Sequence, residues 1–417
     1  MTSIDDRVRE QYESYPYPHR DPKDEHKRLI EGSPSDLDEI RHYVFGGRLD
    51  LDRPFRALVA GGGTGDAAIM LAQHLASAGA RDAEVVYLDL STASRQIAEA
   101  RAAERGLTNM RFVTGVIEEV ATLAPGPYDY VDCCGVLHHL ASPEAGLAAL
   151  AAQVAPTGGL GLMLYATYGR SGIYPVQEAL AQLVDDLPDK ERLAAAHRLL
   201  AGLPASHLLN RNPQVSDHRK GKDAHLYDLL LHRRDRAYRV PELVELLAGA
   251  RLEPLAWIEP ARYAPETYLS DPMLRQRAAA LPPVERAALA ERLSTTIGKH
   301  ILYAGFVDRP PVPAPDPGAD DAVLVLRGLD PAAVAKGLKP GGMLRSDIGG
   351  ATYKAPLPPL TTAIVLRLDG VRTVAGIRES IAAAGIAVPE PAGFADQMRR
   401  LYAALNGINR ILVRRAG

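Results

Sequence analysis

From Phe55 to Thr167 the chain alternates short, almost wholly apolar runs with longer stretches whose apolar residues recur at helical spacing. The runs RALVAGGG, AEVVYLDLS, MRFVTGV, YDYVDCCGVL and LGLMLYAT predict five buried strands. DAAIMLAQHLASAG predicts a helix stopped by Gly79, and TASRQIAEARAAERG one capped by Ser91 with Gly106 just past its end. PEAGLAALAAQVAPTGG predicts a third helix, ending in a turn before the fifth strand. Such alternation belongs to a parallel sheet covered by helices, so the fold class is α/β. Two later runs, LEPLAWIEP and KHILYAGFVD, add strands, each preceded by a helical insertion, at about 168–239 and 261–297.

Ahead of this body, Gln11 to Pro22 reads QYESYPYPHRDP. Each proline fixes its own backbone and lacks a donor N–H, so this stretch is predicted to be neither helix nor interior strand. Residues 1–54 are expected to form a stiff, tyrosine-bearing strap and a helical lid. At the other end DRPPVPAPDPGADD reads as an extended linker, 309–319, between the body at 55–308 and a module at 320–417. Two or three amphipathic helices and a closing strand in that module predict a small α+β, winged-helix-like domain.

Composition narrows the function classes. A chain of 417 residues with 47% hydrophobic and 24% charged residues is globular and long enough for two or three domains. Residues 320–417 hold 13 Lys and Arg against 8 Asp and Glu, and the remainder 35 against 43. The acidic body disfavours nucleic acid as a partner. Cys133 and Cys134 are adjacent in a strand run, where neighbours face opposite ways and do not pair. Scarce cysteine, the charged start MTSIDDRVREQYE and the lack of a bilayer-length apolar run predict a reduced, cytoplasmic protein without a membrane segment.

The strongest chemical signal is LVAGGGTGD. A strand that feeds a glycine turn and then a helix brings bare backbone and a helix N-terminus to a ligand. The dinucleotide fingerprint G-x-G-x-x-G would need a glycine at Asp66; the actual spacing is Gly61, Gly63, Gly65. In this context the turn resembles the cofactor loop of class I S-adenosylmethionine-dependent methyltransferases, over roughly Phe55 to Thr167 and more weakly to Asp308. YDYVDCCGVLHHL resembles that family's fourth-strand motif, and APTGGLGLMLY its turn before the fifth strand. The resemblance implies a Rossmann-like seven-stranded sheet and S-adenosylmethionine as cofactor. It places the cofactor at Gly61, Gly62, Gly63, Thr64, Gly65 and Asp66, with Asp89 and Leu90 at the ribose. The adenine falls near Val116, Ile117 and Glu118, with Cys134 and Gly135 closing the site. Val59 and Val116 stand where many members carry acids, and Glu118 or backbone near Ile117 could substitute.

Methyl transfer is an in-line displacement that needs alignment, exclusion of water and a base for a protonated acceptor. Beyond the strand ends, His138 and His139 are candidate bases or loop braces, and Tyr165 and Tyr168 line the acceptor side together with Arg219, Arg233 or Arg236 of the insertion. His218, His225 and His232 recur every seven residues. Seven helical residues rise about 10 Å, too far for ligands at about 2 Å from one metal ion, so no metal site is expected. The strap resembles a YE-x-x-PYP leader found ahead of bacterial methyltransferase domains, and would supply Tyr15 and Tyr17 over the strand ends. LTTAIVLRLDGVRTVAGI resembles a stretch of PqqD-like domains, which present peptides by strand addition. The expected function is N-methylation of a basic side chain in a protein or peptide. Small-molecule methylation, or a catalytically silent S-adenosylmethionine-binding protein, are the alternatives.

Overall fold

The computed structural model describes residues 4–215 and 223–415. Its seven-stranded sheet comprises β1 (Phe55–Ala60), β2 (Ala83–Asp89), β3 (Met110–Thr114), β4 (Tyr128–Cys134), β5 (Val154–Tyr165), β6 (Leu252–Trp257) and β7 (Lys299–Phe306), in the order β3-β2-β1-β4-β5-β7-β6. β1 to β5 pair in parallel, with Leu58 level with Val86 on one side and Val131 on the other. Strands sandwiched between helices are apolar on both faces, and Ala57 to Ala60 and Val85 to Leu88 are all buried. The strand order turns back between β1 and β4, so the crevice for a ligand opens beyond their carboxyl ends. This is the expected α/β, Rossmann-like sheet.

The covering helices are α3 (Asp66–Ser77), α4 (Thr92–Glu104), α5 (Val120–Leu123) and α6 (Pro143–Ala151). Ser91 caps α4 as expected, its Oγ accepting the Ser94 N–H at 3.1 Å. The first insertion holds α7 (Ile173–Val184), α8 (Asp189–Gly202), α9 (Leu208–Arg211) and α10 (Asp223–Leu230); α11 (Val240–Gly249), with Pro241 in its first turn, leads into β6. The second holds α12 (Pro272–Ala279) and α13 (Pro283–Ser294). Two expectations need correction. Gln11 to Ser14 form the last turn of a helix, α1 (Ile4–Ser14), because the first proline comes only at Pro16. The turn expected at APTGG lies inside β5, which starts at Val154 and takes up the extra residues as an irregularity opposite Tyr128 and Tyr130.

The chain forms two compact units. One comprises Met1–Asp36, Leu51–Glu253 and Thr295–Ile301; the other comprises Leu37–Asp50, Pro254–Ser294 and Leu302–Gly417. The second contains α2 (Leu37–Glu39) and a C-terminal part built from β8 (Ala322–Leu326), α14 (Pro331–Gly337), β9 (Met343–Asp347), β10 (Thr352–Pro356), α15 (Thr361–Val365), α16 (Val374–Ala383), α17 (Pro391–Asn406) and β11 (Ile411–Arg415). β11 closes it by antiparallel pairing with β8, and β9 pairs with β10. Strand β8 and the β9–β10 pair add to the elements read from the sequence. The Pro-rich segment is tied down within this unit: Arg309 donates to the Val44 carbonyl at 2.8 Å, and Arg399 grips Asp316 through two bonds at 2.8 and 2.7 Å.

Candidate active site

The glycine turn is shaped by close contacts. Gly61 and Gly63 adopt φ of +74° and +51°, where a side chain is strained. A Cβ on Gly61 would come within 2.2 Å of Val136 beyond β4, and one on Gly62 within 2.3 Å of the Tyr87 ring. The Tyr87 hydroxyl holds the turn by donating to the Gly63 carbonyl at 2.6 Å. Asp89, at the end of β2, accepts the Gly63 N–H and the Ser91 N–H, each at 2.8 Å. Burial pushes its carboxyl up, and those two N–H bonds oppose the shift. A side-chain-free turn facing an acid at the next strand end fits a ribose-bearing ligand. Val116 and Ile117 lie just past β3, with Ile117 buried and Glu118 exposed. Leu90 and Cys134 are half-buried, and the Gly135 N–H donates to the Met163 carbonyl at 3.0 Å.

The strap lies against this turn. A Cβ on Gly63 would sit 2.7 Å from the Tyr17 carbonyl oxygen, and the Thr64 hydroxyl donates to the Pro18 carbonyl at 2.6 Å. Glu13 accepts the Thr92 and Ala93 N–H groups at 2.6 and 3.0 Å, placing a carboxylate on the N-terminus of α4. Asp66 is held by Arg20 at 2.9 and 2.5 Å and by Arg101 at 2.7 Å. Arg101 is buried and also binds Glu25 at 2.7 Å. The carboxylate of Asp66 thus fastens the strap.

Beyond β4 and β5 the same unit buries a cluster of polar side chains, called the chamber below. His138 is 1% exposed, and neither of its ring nitrogens has a hydrogen-bond partner among the described residues. Its ring lies 4.2 Å from His139 and 4.0 Å from Tyr165. Burial, with His139, Arg170 and His232 nearby, pushes its pKa down, which keeps the imidazole neutral. His139 Nδ1 is 2.6 Å from the Arg234 carbonyl, and its ring is 3.8 Å from His232. His232 Nδ1 accepts the Arg234 N–H at 3.0 Å, which leaves Nε2 to bond the Tyr12 hydroxyl at 3.2 Å. The Tyr12 carbonyl accepts the Ser91 hydroxyl at 3.1 Å, so Tyr12 joins the chamber to the end of β2. Arg170 stacks 3.6 Å above the Tyr165 ring and binds Asp235 at 2.6 Å. The Tyr165 hydroxyl reaches Asp228 at 3.4 Å.

The sequence candidates therefore fall into groups. The glycine turn, Asp89, His138, His139 and Tyr165 come together at the strand ends. Tyr15 stacks on Tyr227 at 5.3 Å, and Tyr17 meets His225 edge-on at 5.5 Å, so both brace the strap against the first insertion. Tyr168 is half-buried and opens a short turn, Tyr168–Arg170, that carries Arg170 inward. Arg233 pairs with Asp185, and Arg236, whose backbone N–H donates to the His138 carbonyl at 3.3 Å, carries an exposed side chain 3.6 Å from Glu144. Arg219 and His218 lie outside the described residues. Sequence reasoning missed Tyr12, Arg170, Asp228 and Asp235. The signal for Asp228 was present: a single acid in the apolar run LYDLLL.

Comparison with known proteins agrees with this geometry. Residues 58–160 match the family described as a methyltransferase domain. An uncharacterized protein of Synechococcus sp. is 31% identical over 333 residues, 77% of this chain and 76% of its own. The ubiquinone biosynthesis O-methyltransferases of Burkholderia lata and Chromobacterium violaceum are 31% and 29% identical over 159 residues; the match covers 38% of this chain and 62% of each of theirs. PKMT2 from Rickettsia typhi, solved in complex with AdoHcy, shares the fold over 90% of this chain and 75% of that one, at TM-score 0.64 and 12% identity. This chain is therefore related to the Synechococcus protein along most of its length and, through its methyltransferase domain, is a class I S-adenosylmethionine-dependent methyltransferase.

Proposed function

We propose that the chain methylates the nitrogen of a basic side chain in a protein or peptide. The observation that carries this reading is His138, a buried, neutral imidazole with both nitrogens unpartnered among the described residues, beside Tyr165 at the strand ends. A nitrogen acceptor needs a base that is neutral at working pH, within reach, and not already occupied. Gly61 to Gly65 and Asp89 hold the nucleoside, which when bound supplies an electrophilic methyl group on sulfur. His138 takes a proton from the acceptor nitrogen and frees its lone pair; His139, fixed by the Arg234 carbonyl, braces it. Tyr15 and Tyr17 keep the strap seated and water out. Among the described residues the β9–β10 pair has no third strand, which supports a peptide-holding, PqqD-like role for residues 320–417 by strand addition.

Small-molecule methylation is the second reading, favoured by the burial of the chamber behind the strap. Transfer of labelled methyl groups into lysate of a strain lacking the protein, sorted into protein and small-molecule fractions, tests both. Label on protein nitrogen supports the first reading. Label confined to small molecules replaces it with the second.

A further inference from the structure

We propose that Asp228 anchors the acceptor as a cationic amine, so that the acceptor enters as an ammonium held between the Asp228 carboxylate and His138. This rests on the nitrogen-methylating reading of the same chamber and names the residue that would select the substrate class.

The argument is one of charge. Asp228 is 6% exposed on α10, between buried Tyr227 and Leu229. Among the described residues its hydrogen bond is from the Tyr165 hydroxyl, at a long 3.4 Å, and no cation pairs with it. Asp235 in the same unit differs: Arg170 at 2.6 Å, Gln177 at 2.8 Å and the Tyr174 hydroxyl at 3.4 Å all serve it. Taking a carboxylate out of water without a cation is costly, and nearby Asp235 adds to that cost. Burial pushes the Asp228 carboxyl up, and the opposing pull of His139 and Arg170, neither of them ion-paired with it, does not cancel that rise. An arriving ammonium removes the penalty, and its N–H groups find two kinds of acceptor, the carboxylate and the unpartnered nitrogens of His138. Tyr12, whose hydroxyl bonds His232 and whose carbonyl accepts the Ser91 hydroxyl, is pushed up chiefly by burial and then by the charges of Asp228 and Asp89.

Two sources carry this chemistry, a lysine side chain of a protein and a free small amine. The first measurement uses the full chain loaded with S-adenosylhomocysteine and two probes, n-butylammonium and n-butanol, followed by thermal shift and NMR titration. Wild type should bind the ammonium and ignore the alcohol. Asp228→Asn should weaken ammonium binding about 30-fold or more, the loss expected when one partner of a buried charge pair is removed, while S-adenosylhomocysteine affinity, by calorimetry, stays within about two-fold. Asp228→Ser serves if the Asn variant does not fold, and the wild-type comparison of the two probes needs no variant. Equal response to both probes, or to the ammonium in both proteins, overturns the proposal. So does a variant that loses S-adenosylmethionine affinity but keeps S-adenosylhomocysteine affinity, because Asp228 would then answer the sulfonium. Labelled transfer completes the test: protein or small-molecule label separates the two amine sources, and label on oxygen sinks the anchor. Ammonium binding without any methylation leaves the anchor standing and defeats the proposed function instead.

Discussion

Each of the two units buries a polar cluster, and the two clusters are finished differently. In the second unit Glu39, wholly buried, accepts from Tyr303 at 2.9 Å and Asn409 at 2.5 Å and pairs with Arg327 at 2.9 Å. Around it Tyr43 donates to Asn409 at 3.0 Å, and His42 bonds Tyr402 at 2.7 Å. Every polar tip just named has a hydrogen-bond partner except Arg327 Nε, which is paired with Glu39 by charge. In the first unit His138 has none among the described residues, and Asp228 has one long bond. A satisfied buried network fixes a fold; an unsatisfied one is kept where something else is to bind.

The largest effect should come from Glu39→Ala. It strands Arg327 and Asn409 in the interior and should cost about 4 kcal/mol, read as a lowered urea midpoint, with S-adenosylhomocysteine affinity per folded molecule unchanged. A strong loss of affinity without loss of stability would invert the comparison.

Acid and base should act on the units in opposite senses. Burial lowers His42 to about 4 from 6.5, so the unfolded chain takes up that proton more readily, and stability falls as pH drops from about 6.5 to 4. The size is about 3 kcal/mol. Asp132 in β4, hydrogen-bonded by Ser35 at 2.7 Å, is raised by burial to about 7 from 3.8. Its unfolded form loses the proton first, so stability falls as pH rises from about 4 to 7, by about 4 kcal/mol. Urea midpoints between pH 4 and 8.5 should lose the alkaline slope in Asp132→Asn and the acid slope in His42→Gln; parallel slopes in wild type and variants would refute both assignments.

His138→Phe should lower kcat about 100-fold and leave stability within about 1 kcal/mol, because an apolar ring of similar shape has no unmet nitrogens. A large destabilisation would make His138 a structural residue. The smallest test is a matched pair. Tyr402→Phe should cost about 1 kcal/mol of stability through its lost bond to His42, whereas Tyr12→Phe, which loses an equivalent bond to His232, should show in kcat/KM.

Much of the first unit was legible in the sequence. Continuous apolar runs give buried parallel strands, and the glycine spacing with Asp89 marks the proposed nucleoside end, because both are local patterns. The first turn after each strand is equally local, so His138 and Tyr165 could be placed. Tyr12, Arg170 and Asp235 could not, and Asp228 could be flagged as a buried acid but not placed, because their partners lie 60 to 220 residues away across a strap and an insertion. Charge in an insertion gives no hint of a nearby acid, so the pairing of Arg233 with Asp185 and the approach of Arg236 to Glu144 were not legible. The extent of the strap helix was misjudged because proline restricts the residue before it, not the turn preceding that.

The scattered make-up of the second unit has a consequence for synthesis. Its Leu37–Asp50 segment emerges from the ribosome near the start, yet Glu39 finds Asn409 only 370 residues later. Until Asn409 is made, that carboxylate lacks part of its network, whereas the strands β1 to β5 can pair as soon as they appear. Completion of the second unit therefore waits on β11, and a chain stalled before Ile411 would hold paired strands β1 to β5 while its other core stayed open.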